Sequence, residues 1–420
     1  MWKVAASLCA LIVATIPLSY LDGSIAIGIA GCAAALCLLA AALAIRPGEF
    51  NFLKSFIGPY LVAGAVIPAW MIIQLLPLPW LAHPVWKTAA EALGQPITGH
   101  ISIDLGDTLS ALLLYLTGFS VALAATAVAI DRRRARWIAN TTIVATTGLA
   151  ILWAAAVYFS LPVLLSSTAG AVLMGVPVCQ ATALEAFELR IVPSAASDRS
   201  FLRPVVCFIA AAVACALAWA SSGTIAAFVI AIETGALLTI WISRRLRLPL
   251  WGKASVAATI CAIGMAVAAP SSHDQTVPLA IAFSSAPADQ IAATQTMLSD
   301  LPWSGVGAGA AKALLPTYTE LQEGPSPVTI ASAAAEALTG LGPIFFWMAL
   351  SAAGVGMAVL AVGALNRGRD WSFPASAASG LFGLAAASFA LPAVFTLPTV
   401  ILTSAILGMG LAQRASRTRA

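Results

Sequence analysis

The sequence predicts an all-α fold: a polytopic transmembrane helical bundle of about 12 spans, with a long periplasmic loop before the third-last span. Three observations predict it. Of 420 residues, 60% are hydrophobic and 9% charged, with mean hydropathy +0.95, whereas a soluble domain carries about 25% charged residues. Apolar runs close to the roughly 20 residues needed to cross hydrocarbon recur along the chain. Lys and Arg gather in alternate connections between those runs, as orientation in a bilayer requires.

In order, the expected spans lie near 4–20, 24–45, 56–77, 108–130, 138–159, 162–182, 204–221, 224–243, 251–269, 343–365, 373–391 and 395–413. The first has the Lys and apolar run of a signal peptide, but no small-x-small cleavage site precedes a polar start, so it reads as a span. The run 162–182, with Ser166-Ser167-Thr168 and several Gly, is open to a re-entrant or tilted alternative. Lys3 places the amino terminus inside. Inward connections then hold Arg46 and Lys54, Arg132 to Arg136, Arg190 to Arg203, Arg244 to Lys253, Arg367 and Arg369, and Arg414 to Arg419. Of 21 Lys and Arg, Lys87 and Lys312 alone fall outside. Both termini are therefore expected on the cytoplasmic side. The chain divides into a bundle over 1–269 (spans one to nine, with an outward loop at 79–107), a periplasmic loop at 270–342, and three spans with a basic tail at 343–420.

The net charge of +4 does not indicate nucleic acid, because the basic residues sit beside apolar runs. Seven Cys lie inside apolar runs without a Cys-x-x-Cys, and three His are far apart, so neither disulfides nor a metal site is expected. In the loop 79–107, Trp80 and Trp86 suit headgroup anchoring and Pro84 to Leu93 a short interfacial helix. In the loop 270–342, Asp289 is placed to cap a helix reaching Leu298, with Ile291 and Leu298 on one face. The run Pro302 to Gly309 stops it. Thr329 is placed to cap a second helix ending at Gly340 in left-handed conformation.

Chemistry is expected in that loop. The run Gly305-Val306-Gly307-Ala308-Gly309-Ala310-Ala311-Lys312 gathers backbone N–H groups and one ammonium, a combination that can hold phosphate oxygens or simply form a tight turn. It is not a Walker loop, since Lys312 does not follow the last Gly and no Ser or Thr comes after it. Glu320, Glu323 and Glu336 are carboxylates of the kind a general base requires, or plain solvated charges. Glu233 is the one acidic residue near the middle of an apolar span, Ala226 to Ile240. A charge there costs about 2.5 to 3.5 kcal/mol, so it reads as an intramembrane proton site or a polar strut between helices.

The run Pro302-Trp303-Ser304-Gly305-Val306-Gly307-Ala308-Gly309, Pro316-Thr317-Tyr318 after it and Gly340-Leu341-Gly342 opening a span together resemble the O-antigen ligase/polymerase family. Gln74-Leu75-Leu76-Pro77-Leu78-Pro79, Ile101-Ser102-Ile103-Asp104 with Thr108, and Asp131 to Arg136 are similar to it as well. The segments 367–371 and 408–413 look like an exopolysaccharide-associated branch. The resemblance implies a membrane glycosyltransferase using an undecaprenyl-pyrophosphate-linked oligosaccharide donor and a saccharide acceptor, without cofactor or metal. It places Glu320 or Glu336 as base and Gly305, Gly307, Gly309, Lys312 and Tyr318 around the donor. Ser222 stands where the family commonly has Arg, and Thr329 where the ligases have His. Neither the pyrophosphate-gripping Arg nor the acceptor-activating His is thus present at those positions. Two alternatives follow: a non-catalytic membrane subunit partnered with other polysaccharide-assembly proteins, and a secondary transporter using Glu233.

Overall fold

In the computed structural model the described residues are 1–21, 23–159, 162–191, 202–246, 278–284, 286–318, 329–368 and 370–414. Side chains are described for all of these except 157, 162–167, 189–191, 202–206, 208, 209 and 211–224. Every regular element among them is helical. The helices are α1 (Trp2–Leu18), α2 (Gly23–Ala44), α3 (Pro47–Leu75), α4 (Val85–Leu93), α5 (Leu105–Val128), α6 (Arg132–Tyr158) and α7 (Pro162–Ile191). They continue with α8 (Leu202–Arg245), α9 (Ala288–Ser299), α10 (Ala311–Leu314), α11 (Ala333–Leu341), α12 (Pro343–Asn366), α13 (Ser372–Ala390) and α14 (Leu397–Gln413).

Among the described residues eight helical stretches are long and apolar enough to cross a membrane: α2, α3, α5, α12, α13, Arg132–Ala156 of α6, Thr168–Glu188 of α7 and Ile225–Arg245 of α8. The shorter α1 and α14 are apolar too. A multi-pass membrane protein has this architecture. The spans expected at 204–221 and 224–243 fall within the single 44-residue helix α8. Ser221-Ser222-Gly223 weakens a helix but contains no Pro to remove a hydrogen bond, so nothing there enforces a break. The run 251–269 lies outside the described residues.

The core is one apolar cluster built from Leu8 and Ile12 of α1, Leu149 and Trp153 of α6, Leu173 and Met174 of α7, Leu237 of α8 and Ile401 and Leu402 of α14. Small residues let the backbones approach: a Cβ at Gly408 would press on Ala125 Cβ at 2.7 Å, and one at Gly170 on Val394 O at 3.0 Å. Prolines in the spans leave carbonyls without their helical donor. Pro68 in α3 removes the N–H that Gly64 O would accept, and the Tyr115 hydroxyl of α5 donates to that oxygen at 3.0 Å.

The two ends of the bundle differ in charge. Trp2 meets Trp137 edge-on, Arg134 pairs with Glu49 at 2.5 Å, and the Gln413 amide donates to Ala129 O, so the first and last described residues share one end. Arg46, Lys54, Arg132 to Arg136, Arg244, Arg245, Arg367 and Arg414 belong to that end as well. At the other, about 36 Å along the 24 residues of α5, the Lys and Arg with described side chains are Lys87 and Lys312. Exposed Trp2 and Trp137 at the basic end, and Tyr20, Trp80, Tyr158 and Trp303 at the other, put aromatic rings at both membrane-surface levels.

The described residues of 278–342 fold as a lid on the second end, with their own apolar cluster of Ile281, Met297, Leu315 and Ile330. Ile291 and Leu298 of α9 both pack on that cluster. Asp289 lies in the first turn of α9, behind Pro287 at the cap position. The cap of α11 is Ser332 rather than Thr329: its hydroxyl accepts the Ala335 N–H at 3.0 Å, three residues on, as N-capping requires. The left-handed glycine that ends α11 is Gly342 (φ 81°), not Gly340, because the helix runs through Leu341. The expected interfacial helix is α4, stopped by left-handed Gly94.

Candidate functional site

The glycine run is a knot between the lid and the ends of α3 and α5. Gly305, Gly307 and Gly309 have φ of 71°, 108° and 83°, which a side chain rarely adopts. Their lack of Cβ is also needed for contact: a Cβ at Gly305 would sit 2.5 Å from Gly340 O, and one at Gly309 2.9 Å from Asp107 O. At Gly307 it would strike Ser102, whose hydroxyl bonds Thr108 at 2.7 Å. The Val306 and Gly307 N–H groups donate to Thr339 O and Gly340 O at 3.0 and 3.2 Å, and Ile103 N–H returns to Val306 O at 2.9 Å.

The fully buried Gln74 holds the centre. Its amide nitrogen donates to Gly340 O at 2.9 Å and Ser304 O at 3.2 Å, and its oxygen accepts the Ala308 N–H at 3.2 Å. One turn earlier, Trp70 donates to Leu341 O at 2.9 Å and stacks on Phe345 at 4.0 Å. Gln74, Ile101 to Asp104, Thr108, the glycine run and Gly340 to Gly342, which carry the family resemblance in separate stretches of sequence, therefore meet at one place.

Amides of the run that could hold phosphate or form a tight turn have acceptors of their own at three positions. Gly305 N–H donates to Pro302 O, Gly307 N–H to Gly340 O and Ala308 N–H to Gln74, so these donors are engaged within the protein. The glycines build the turn that carries Lys312 into place.

Lys312 and Glu336 are brought together: Nζ lies 3.2 Å from Oε1, with the Lys side chain more than half exposed and the Glu side chain 22% exposed. Glu336 sits in the first turn of α11, where a carboxylate is favoured by the helix dipole. Asp107, at the start of α5, is close enough to Lys312 and Asp104 to feel both charges. The ammonium is thus set among carboxylates, an arrangement that can move a proton to or from Glu336 and offer one cation to an anionic group.

The remaining predicted residues lie apart. Tyr318 hydrogen-bonds Asp300, and partial burial together with that carboxylate's charge raises its phenol above the usual range. Thr329 donates to the Gln290 side chain at 3.2 Å. Glu233 is in α8, within the span. Ser222 is in α8 with its side chain outside the described set; Glu320 and Glu323 lie outside the described residues. Among the described residues, no group of three His, Cys, Asp or Glu is placed to hold a metal. What sequence reasoning missed is the organising role of Gln74 and Trp70. A lone amide ending an apolar run is the signal that could have found it.

Comparisons with family models, with curated proteins and with solved structures find no match.

Proposed function

We propose that the chain is a multi-pass protein of a bacterial inner membrane that acts in surface polysaccharide assembly, transferring a glycan from undecaprenyl pyrophosphate to a saccharide acceptor at its non-cytoplasmic face. The observation that carries this reading is the Lys312–Glu336 pair, held at the mouth of the bundle by the knot of glycines, Gln74 and Ser102. The orientation rests on charge. The end rich in Lys and Arg suits the cytoplasm, which leaves both termini inside and the lid outside.

In this reading the Glu336 carboxylate takes the proton of an acceptor hydroxyl as its oxygen attacks the anomeric carbon from the face opposite the leaving group. The bond to the pyrophosphate oxygen breaks with its electron pair, and the configuration inverts. Lys312 offers a point charge to the developing anion, less directional than the fork of an Arg. Glu320 shares the candidacy for base. The reaction uses no nucleotide sugar.

One observation favours a second reading, a non-catalytic membrane subunit of a polysaccharide-assembly complex. Lys312 pairs with Glu336 and interacts with Asp107, which Asp104 adjoins, and apart from Lys87 no other Lys or Arg with a described side chain stands at that end. A bare pyrophosphate would meet net negative charge there. Chromosomal Glu336→Gln and Lys312→Ala separate the two readings. The enzyme reading expects short or absent polymer at normal protein level, because the pair is too exposed to matter greatly for folding. Polymer of ordinary length in both variants refutes it, and loss of the assembly partners from the purified complex would then support the subunit.

A further inference from the structure

Glu233 has no place in the chemistry at the lid, and its surroundings make it conspicuous. It is completely buried, and among the described residues neither carboxyl oxygen has a hydrogen-bond partner. It lies about 18 Å along α8 from Arg245, near the middle of the span Ile225–Arg245. Among the described residues no counter-charge faces it. α6 from Trp137 onward, α7 as far as Leu184, α12 and α13 contain no Asp, Glu, Lys, Arg or His. Cys179 of α7 and Tyr158 at the far end of α6 are the titratable groups on those stretches, and Glu185 and Arg244 are the first charges toward the basic end. An unpaired anion in such a place is far costlier than the neutral acid.

The packing around Glu233 is shaped for it. An added Cβ at Gly383 of α13 would overlap the Glu233 carboxyl, so the missing side chain is the notch that the carboxyl fills. α8 and α13 lie antiparallel: Glu233 meets Gly383, and eleven residues on, Arg244 lies 4.7 Å above the Trp371 ring and donates to Gly368 O at 2.8 Å. On α13, the helical spacing of Ser372, Ser376, Ser379 and Gly383 puts all four on one face. All three hydroxyls are buried; the first donates to Glu185, while Ser376 donates to Phe373 O and Ser379 to Ala375 O, each at 2.9 Å, within their own helix. Glu185 in turn pairs with Arg132 and Arg136 at the basic end at 3.8 and 3.9 Å.

From this we infer that Glu233 is a proton-binding site inside the membrane, loaded from the basic end along the serine row of α13. Loading requires Ser376 and Ser379 to turn from their backbone carbonyls toward water in the opened seam; each hydroxyl then accepts one proton and releases its own to the next water, and the carboxylate of Glu233 becomes the acid. No other reactant is consumed. With α8 and α13 closed, the acid sits in the Gly383 notch. When they part, the proton exchanges with water reaching in from Glu185.

The test is infrared spectroscopy of the purified full-length chain in lipid nanodiscs. Wild type is expected to show the carbonyl band of a protonated carboxylic acid, which shifts on transfer to D2O. Glu233→Gln loses the band; should that variant not fold, Glu233→Asp keeps the acid and moves the band. Ser376→Ala with Ser379→Ala keeps the band but slows its shift by roughly a hundredfold, the low end of what a positioned proton-transfer group contributes. Absence of a protonated-acid band assignable to Glu233 overturns the inference. So does a band that never shifts in D2O, the mark of a sealed strut, and so does a shift that ignores the serine substitutions.

Discussion

Replacing Gln74 by Leu tests whether a single buried amide holds the lid to the bundle. Of its three partners, Gly340 O keeps a bond from the Gly307 N–H at 3.2 Å. The Ala308 N–H and Ser304 O lose the partner they have in Gln74. Leaving a buried polar group unsatisfied costs about 1 to 3 kcal/mol, so stranding one donor and one acceptor destabilises the knot by about 2 to 6 kcal/mol. Since about 1.4 kcal/mol is a factor of ten, opening of 302–310 should become roughly 30- to 20,000-fold more frequent. Amide hydrogen exchange at Gly307 and Ala308 in the purified protein reads this directly, with α6 core amides as the internal reference. Protection unchanged at those two amides, or lost equally across α6, would refute the reasoning.

Other consequences can be measured separately. Gly307→Ala forces a side chain into φ 108° and against Ser102, and should release the lid to limited proteolysis, whereas Gly354→Ala meets nothing within 4 Å and should leave the cleavage pattern as it is. Glu49→Gln leaves Arg134, 4% exposed, without its carboxylate, and should lower the stability of the basic end by about 3 to 5 kcal/mol in thermal unfolding. His83 is held below its ordinary pKa by burial, and its Nδ1 accepts the Val85 N–H at 3.3 Å. Its contribution is therefore present above the unfolded value of about 6.5 and is lost as pH falls through the lower folded value. Protection factors of amides in 79–103, taken relative to intrinsic exchange at each pH, should fall on acidification, and His83→Gln should flatten that dependence.

The sequence shows the spans and their alternating charge because lipid imposes them locally. Each span must satisfy its own backbone, so an apolar run near 20 residues is readable without knowing its neighbours. Ser221-Ser222-Gly223 is the instructive failure, since a composition dip resembles a boundary although α8 continues through it. The cap of α11 moved from Thr329 to Ser332 for a related reason. Both residues are good caps, and the lid's packing decides between them. Within the site, Lys312 and Glu336 were each legible as polar groups in an outward loop. Their 3.2 Å pairing was not, because it depends on Gln74 reaching a carbonyl 266 residues away. The glycines were legible as a turn, but which acceptors use their amides depends on α11 and on Gln74, both remote in sequence.

The account depends most on the lid and the Arg-rich end facing opposite sides of the membrane. Thr296→Cys on the exposed face of α9 and Arg133→Cys at the start of α6, each in a background without other cysteines, can be labelled with a membrane-impermeant maleimide in right-side-out spheroplasts. The prediction is labelling of position 296 in intact spheroplasts and of position 133 only after lysis. Labelling of 133 in intact spheroplasts, with 296 protected until lysis, would contradict it.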